Sequence, residues 1–227
     1  VRHGSPTARE GGLSSMNTND QGILVVDFDR TVFDSDALYR DLYELCEGQG
    51  IDRNLLDPSL ALVPPANLLF NFFLMVQRSH GIEPIRIEKV MADMQDYVRD
   101  KGYLYVFDDS RPFLGSAMEA GWEVVILTYG DLDFQHVKFV GSRLVDFCHS
   151  FTITSEVKWL QLEILDTSPV IFLDDNPKNI DEVKTRFPRI LAVEVKRPNS
   201  KYQTVLSAKA DLVVSQLIWP LRLRELG

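Results

Sequence analysis

The chain has 227 residues, 45% hydrophobic and 25% charged, which suits one large core with a small accessory domain. Its formal net charge of −9 speaks against nucleic-acid binding and against an anionic membrane surface. The two cysteines, Cys46 and Cys148, make neither a disulfide framework nor a zinc pattern, and no apolar run reaches the roughly 20 residues of a membrane helix.

Residues 1–20 lack periodicity and are rich in Gly, Ser, Thr and Asn, which predicts a flexible tail with Met16 as a candidate natural start. The apolar stretch of a signal peptide is missing there, so a cytoplasmic, reducing setting is expected. The first strong signal is Ile23 to Val26, four apolar residues of which three are β-branched. That run reads as a buried strand. It stops at Asp27-Phe28-Asp29, which puts two carboxylates at the carboxyl end of a strand, where open α/β sheets bind ligands. They flank one bend, so different roles around one centre are expected.

Asp34-Ser35-Asp36 can start a helix whose Leu38, Leu42 and Leu45 keep helical spacing, with Gly48 and Gly50 ending it. Residues 51–63 carry no clear signal. Pro64-Pro65 precede an apolar stretch predicted as a helix over 66–79, with its Phe70, Phe72 and Phe73 in a core. A further helix begins near Pro84, carries Val90, Met94 and Val98 on one face and ends at Gly102. Residues 37–103 thus read as an all-helical insert in an α/β chain.

The α/β pattern then resumes. A helix from Ser110 to Ala120 leads to a second buried strand, Trp122 to Leu127, which ends in Thr128. A helix from Asp133 to about Leu144 follows, then a short strand at Phe151–Thr154 and a short helix capped by Ser155 and containing Lys158. The third apolar run, Pro169 to Leu173, ends in Asp174-Asp175-Asn176-Pro177. A helix to about Arg186, a strand over 190–195 and a C-terminal strand plus helix over 210–226 complete the reading. Strands alternating with helices imply right-handed crossovers and a parallel sheet, which gathers the strand ends on one side.

That edge would collect Asp27, Asp29, Thr128, Asp174 and Asp175, with Lys158 nearby. Carboxylates crowded together need a cation, and oxygen-only ligands point to Mg²⁺. A carboxylate nucleophile, a second carboxylate, a hydroxyl, a lysine and a hard metal suit phosphoryl transfer through an aspartyl-phosphate. His80, His136 and His149 have no ligand spacing. Arg197 and Lys201, near Tyr202, suit either a solvated loop or a rim for an anionic substrate.

The ordered set resembles the haloacid dehalogenase superfamily. Asp27-Phe28-Asp29-Arg30-Thr31 looks like its first motif, Thr128 its second, Lys158 its third and Asp174-Asp175 its fourth, over roughly residues 21–195. The resemblance implies a Rossmann-like parallel-sheet core, 21–36 and 104–227, under a small all-helical cap, 37–103. It implies Asp27 as nucleophile and metal ligand, and Asp29 as general acid/base binding metal through its backbone carbonyl. Asp175 would ligate the metal with Asp174 beside it, and Thr128 and Lys158 would hold phosphoryl oxygens. The second carboxylate favours phosphate chemistry over carbon–halogen cleavage. Two departures stand out: Arg30 replaces a small residue, and Asn179 an acidic one.

A Mg²⁺-dependent phosphatase acting on a small soluble phosphorylated metabolite is the leading expectation. A phosphomutase or other phosphotransferase shares the same residues, and a silent phosphate-binding protein shares the fold. Receiver domains also use Asp, Thr and Lys, but they place the acidic pair before the phosphorylated Asp and lack a long helical insert. Nothing in the sequence sets an oligomeric state.

Overall fold

The computed structural model describes residues 22–57, 62–63, 69–163 and 169–221. Six parallel strands form one sheet: β1 Gly22–Val26, β4 Trp122–Tyr129, β5 Ser150–Thr154, β6 Val170–Asp174, β7 Leu191–Val195 and β8 Leu212–Val214. Their order is β5-β4-β1-β6-β7-β8. The chain builds outward from β1 to β4 and β5, then returns to the other side of β1 with β6. The reversal falls at β1, where a doubly wound sheet opens its ligand crevice.

Register decides what meets there. Val26 lies opposite Leu173 on one side and Ile126 on the other. The next residue, Asp27, donates its backbone N–H to the Leu173 carbonyl at 2.9 Å. Asp27 therefore ends level with Asp174, one strand spacing of about 4.8 Å away.

Both faces of β1 are buried. Leu24 and Val26 join one apolar cluster, and Ile23 and Val25 the other. The second cluster is closed by α6 Trp159–Leu162 and α7 Pro177–Arg186 through Leu162, Ile180 and Val183. The first is covered by α4 Ser110–Glu119 and α5 Leu132–Ser142, together with the insert. Leu38 and Leu42 of α1 Ser35–Gly48, Phe72 and Met75 of α2 Phe72–Arg78, and Val90 and Met94 of α3 Pro84–Lys101 sit in the same cluster as Leu24. Insert and sheet share one continuous apolar core.

The chain segments entering and leaving the insert are bonded to each other. Asp34 N–H donates to the Tyr105 carbonyl at 2.6 Å and Phe107 N–H to the Val32 carbonyl at 3.1 Å. Helix α3 lies directly on α5 at Gly141, where a Cβ would stand 2.0 Å from the Val98 carbonyl oxygen.

Several expectations are corrected. The insert is mainly helical but contains a two-stranded antiparallel ladder, β2 Leu62–Val63 with β3 Leu69–Phe70. The helix expected over 66–79 is confined to Phe72–Arg78. An apolar run fits strand or helix equally by pattern, and Asn71 decides: its side chain accepts from Phe73 N–H at 2.9 Å and Leu74 N–H at 3.3 Å, capping the helix there. Lys158 directly precedes α6 instead of lying within it, and Ser155 does not cap it. The C-terminal strand forms as β8. The segment 222–227, the expected tail over 1–20 and the Pro64-Pro65 pair lie outside the described residues. Among the described residues no helix is long and apolar enough to cross a membrane.

Candidate active site

The strand ends bring Asp27, Asp174 and Asp175 together, with one oxygen of each lying within 4.8 Å of the others. All three are nearly or fully buried. Lys158 reaches between two of them. Its ammonium donates to Asp27 Oδ1 and, at 2.7 Å, to Asp174 Oδ2. The other oxygen of Asp27, Oδ2, accepts from the Thr31 hydroxyl at 2.9 Å. Both oxygens of the expected nucleophile are thus aimed by donors.

Asp174 and Asp175 are adjacent but unlike. Asp174 is saturated: besides Lys158 it accepts from Asn176 N–H at 2.8 Å and from the Asn179 amide at 3.0 and 3.1 Å. Asn179, flagged in the sequence as a departure from an acidic residue, acts here as a donor that fixes Asp174. Asp175 Oδ2 is buried and accepts no hydrogen bond from the described residues. A buried carboxylate oxygen without a donor is costly unless a cation meets it.

Burial, reinforced by the neighbouring Asp27 and Asp174, pushes the Asp175 carboxyl up to about 9. Burial also lifts Asp27 to about 7, with Asp174 and Asp29 adding to the rise and Lys158 opposing it. For Lys158 burial disfavours charge, yet Asp174 and Asp27 outweigh it and hold the ammonium above its usual range.

Asp29 occupies a separate pocket. Its Oδ1 accepts from the Ser35 hydroxyl and the Lys138 ammonium, and its Oδ2 from the Gln135 amide at 2.7 Å and the Thr128 hydroxyl at 3.4 Å. Burial would raise this carboxyl, but Lys138 foremost, with Ser35 and Gln135, brings it down to about 2. It stands as a carboxylate at neutral pH. Thr128, near the end of β4, therefore faces Asp29.

Arg30 takes a left-handed backbone, φ 61°, at the tight bend after Asp29, a conformation that favours glycine. Its part-buried guanidinium is held by Asp36 at 2.6–3.0 Å. Arg197 is resolved as a buried clasp and not a substrate rim. It donates to the Thr31 carbonyl at 2.8 and 3.0 Å and to both Asp109 oxygens at 2.7 Å. It thereby secures the loop whose Thr31 holds Asp27.

All six site residues named from the sequence lie around this edge. Lys138, Gln135, Ser35 and Thr31 were missed as contacts. Lys138 carried a readable signal, since it falls four residues after Phe134 in an apolar stripe where a lysine has no packing role. His149 is accounted for structurally: its Nδ1 accepts from Val124 N–H at 2.9 Å.

Four carboxylates here, Asp27, Asp29, Asp174 and Asp175, meet two ammonium groups, Lys138 and Lys158. The formal excess is two negative charges, the complement of one divalent cation. An all-oxygen donor set with an unpartnered buried carboxylate oxygen fits a hard ion such as Mg²⁺.

No family model and no curated protein sequence matches this chain. Solved structures do. A Burkholderia xenovorans protein described as a haloacid dehalogenase-like hydrolase superposes with a TM-score of 0.66 at 18% identity, over 87% of this chain and 96% of its own. The magnesium-bound Bacillus subtilis YfnB, described as a HAD hydrolase, gives 0.57 at 12%, over 87% and 96%. CbbY from Rhodobacter sphaeroides, in complex with phosphate, gives 0.52 at 13%, over 86% and 94%. The fold is that of the haloacid dehalogenase-like hydrolases. More particularly, it is a version with a mainly helical insert between the first strand of the sheet and its neighbour β4.

Proposed function

We propose that this chain is a Mg²⁺-dependent phosphomonoester hydrolase that acts on a small soluble phosphorylated metabolite through an aspartyl-phosphate on Asp27. The observation that carries this reading is Asp27 itself: a buried carboxylate at the carboxyl end of the central strand, aimed by Lys158 and Thr31. The phosphate complex of CbbY and the magnesium bound to YfnB support the chemistry by analogy of fold. The two free thiols, Cys46 and Cys148, are in keeping with a cytoplasmic setting.

In this reading an Asp27 oxygen attacks phosphorus while the P–O ester bond breaks, its electron pair leaving with the alkoxide. The departing oxygen takes the proton held by the Lys138–Asp29 pair. Water then attacks phosphorus, the P–Oδ bond breaks, and Asp29 accepts the water's proton, so Asp27 returns as a carboxylate and inorganic phosphate leaves. Lys158 and Thr128 face the phosphoryl oxygens and offset their charge. Mg²⁺, when held by Asp27 and Asp175 with the Asp29 carbonyl and Asp174 in support, supplies further neutralisation of that charge. The insert, 37–103, covers the site as a lid that excludes water and selects the leaving group.

The test is a panel of phosphorylated metabolites incubated with the purified chain and Mg²⁺, reading released phosphate. Release from a narrow subset, lost in excess chelator, is expected. Transfer to a second sugar without release would replace the hydrolase reading with a phosphotransferase. Phosphoryl retention with no turnover would leave only a binding protein.

A further inference from the structure

Helix α5 carries a charge that its packing does not require. Lys138 is fully buried. Its ammonium meets the carboxylate of Asp29, and ring centroids stand 5.0 Å away at Phe134, 5.7 Å at Phe28 and 5.8 Å at Tyr39. Burying an ammonium carries a heavy desolvation cost that its partner only partly offsets. Leucine or methionine would fill the same space among three aromatic rings without that cost.

The donors around Asp29 divide unequally. Oδ1 is held by Lys138 and Ser35. Oδ2 has one firm donor, Gln135 at 2.7 Å, and one long contact, the Thr128 hydroxyl at 3.4 Å. A carboxylate oxygen accepts about two hydrogen bonds. The long contact leaves Oδ2 the less firmly held of the two oxygens, and its donor Thr128 belongs to β4, the strand beside the β1 strand that leads into Asp27. Gln135 and Lys138 sit one turn apart on α5, so a single helix grips both oxygens. That helix is itself fixed at its start, where Asp131 caps Phe134 N–H at 3.0 Å and accepts from Asn71 of the insert at 2.8 Å.

We propose that Lys138 is a positioning residue for the hydrolytic step: it anchors Asp29 Oδ1 so that Oδ2 is presented to the water that attacks the phosphorylated Asp27. The inference rests on the phosphatase reading and adds a residue outside the recognised motifs. In the step it serves, the water oxygen bonds to phosphorus, the P–Oδ bond of Asp27 breaks, and the water's proton goes to Oδ2.

The experiment uses the full chain with Mg²⁺ and 4-nitrophenyl phosphate, whose leaving group departs without a proton, followed from the first milliseconds. Lys138→Met should give a burst of about one nitrophenolate per chain and then a steady rate about a hundredfold below the parent. Lys138→Gln, which keeps a neutral donor at similar reach, should recover part of that loss. A purely structural role would slow both phases together, so a variant with no burst and a uniformly slow trace overturns the proposal, as does an unchanged steady rate. Should Lys138→Met be unfolded by circular dichroism, Lys138→Gln is read alone against the same two outcomes. A parent chain that releases no nitrophenolate at all refutes the phosphatase reading itself, a result distinct from these.

Discussion

Replacing Asp27 by asparagine keeps the volume and the Thr31 contact but puts a poor nucleophile at the strand end. Asp27→Asn should fold normally and lose turnover; phosphate release by a folded variant, measured directly, would refute the covalent route. Lys158→Ala removes the ammonium that joins Asp27 and Asp174, so kcat should fall about 10²–10³-fold. The exposed Lys178, whose ammonium stands 3.8 Å from Glu182, should be silent in the same assay. Lys138, fully buried against Asp29, is set apart from Lys178 by the structure. Charge pairing across 109 residues has no local pattern, whereas an aspartate at the end of an apolar strand does. This is why Asp27, Asp174 and Asp175 were legible, with Lys158 from its place ahead of the last apolar run, while the pairing of Lys138 with Asp29 was not.

Among the elements, the strands were the most readable, because β-branched runs bounded by polar residues suit little else. The stretch 66–79 was misread because its apolar residues fit two periods, and the decision lies in one cap, Asn71. The C-terminal strand pairs with a partner 19 residues earlier, so its short sequence says little alone. Helix α5 invites a direct test of packing. Gly141→Ala forces a methyl against the Val98 carbonyl and should cost about 1–3 kcal/mol, read as a lower denaturant midpoint with an unchanged slope. An unaltered midpoint would mean that α3 and α5 do not hold this contact in solution.

At the scale of the molecule, the buried carboxylates tie stability to pH and, in the proposed reading, to Mg²⁺. Asp27 and Asp175 bind protons more tightly in the folded chain, near 7 and 9, than at their ordinary 3.8. Each is neutral and harmless below pH 4. Each then subtracts stability as pH climbs toward its folded value, so the metal-free protein should weaken between pH 4 and 9. Asp29, held near 2, works the other way: its contribution is full above 3.8 and is lost as pH falls below that. Mg²⁺ should therefore raise the melting temperature more at pH 8 than at pH 5, by calorimetry. Asp175→Asn should raise the metal-free melting temperature at pH 8 and abolish the Mg²⁺ response. An equal Mg²⁺ shift at both pH values would place the cation elsewhere.

The Arg197 clasp gives the molecule a built-in order of assembly. The strand that leads into Asp27 is translated well before its clasp: the loop whose Thr31 holds Asp27 waits for a guanidinium 166 residues later. A nascent chain stopped short of that arginine would already contain every carboxylate of the site, with Thr31 still untethered. The order of synthesis thus separates the parts from their fastening: the acidic residues are translated before the arginine that secures the loop beside Asp27.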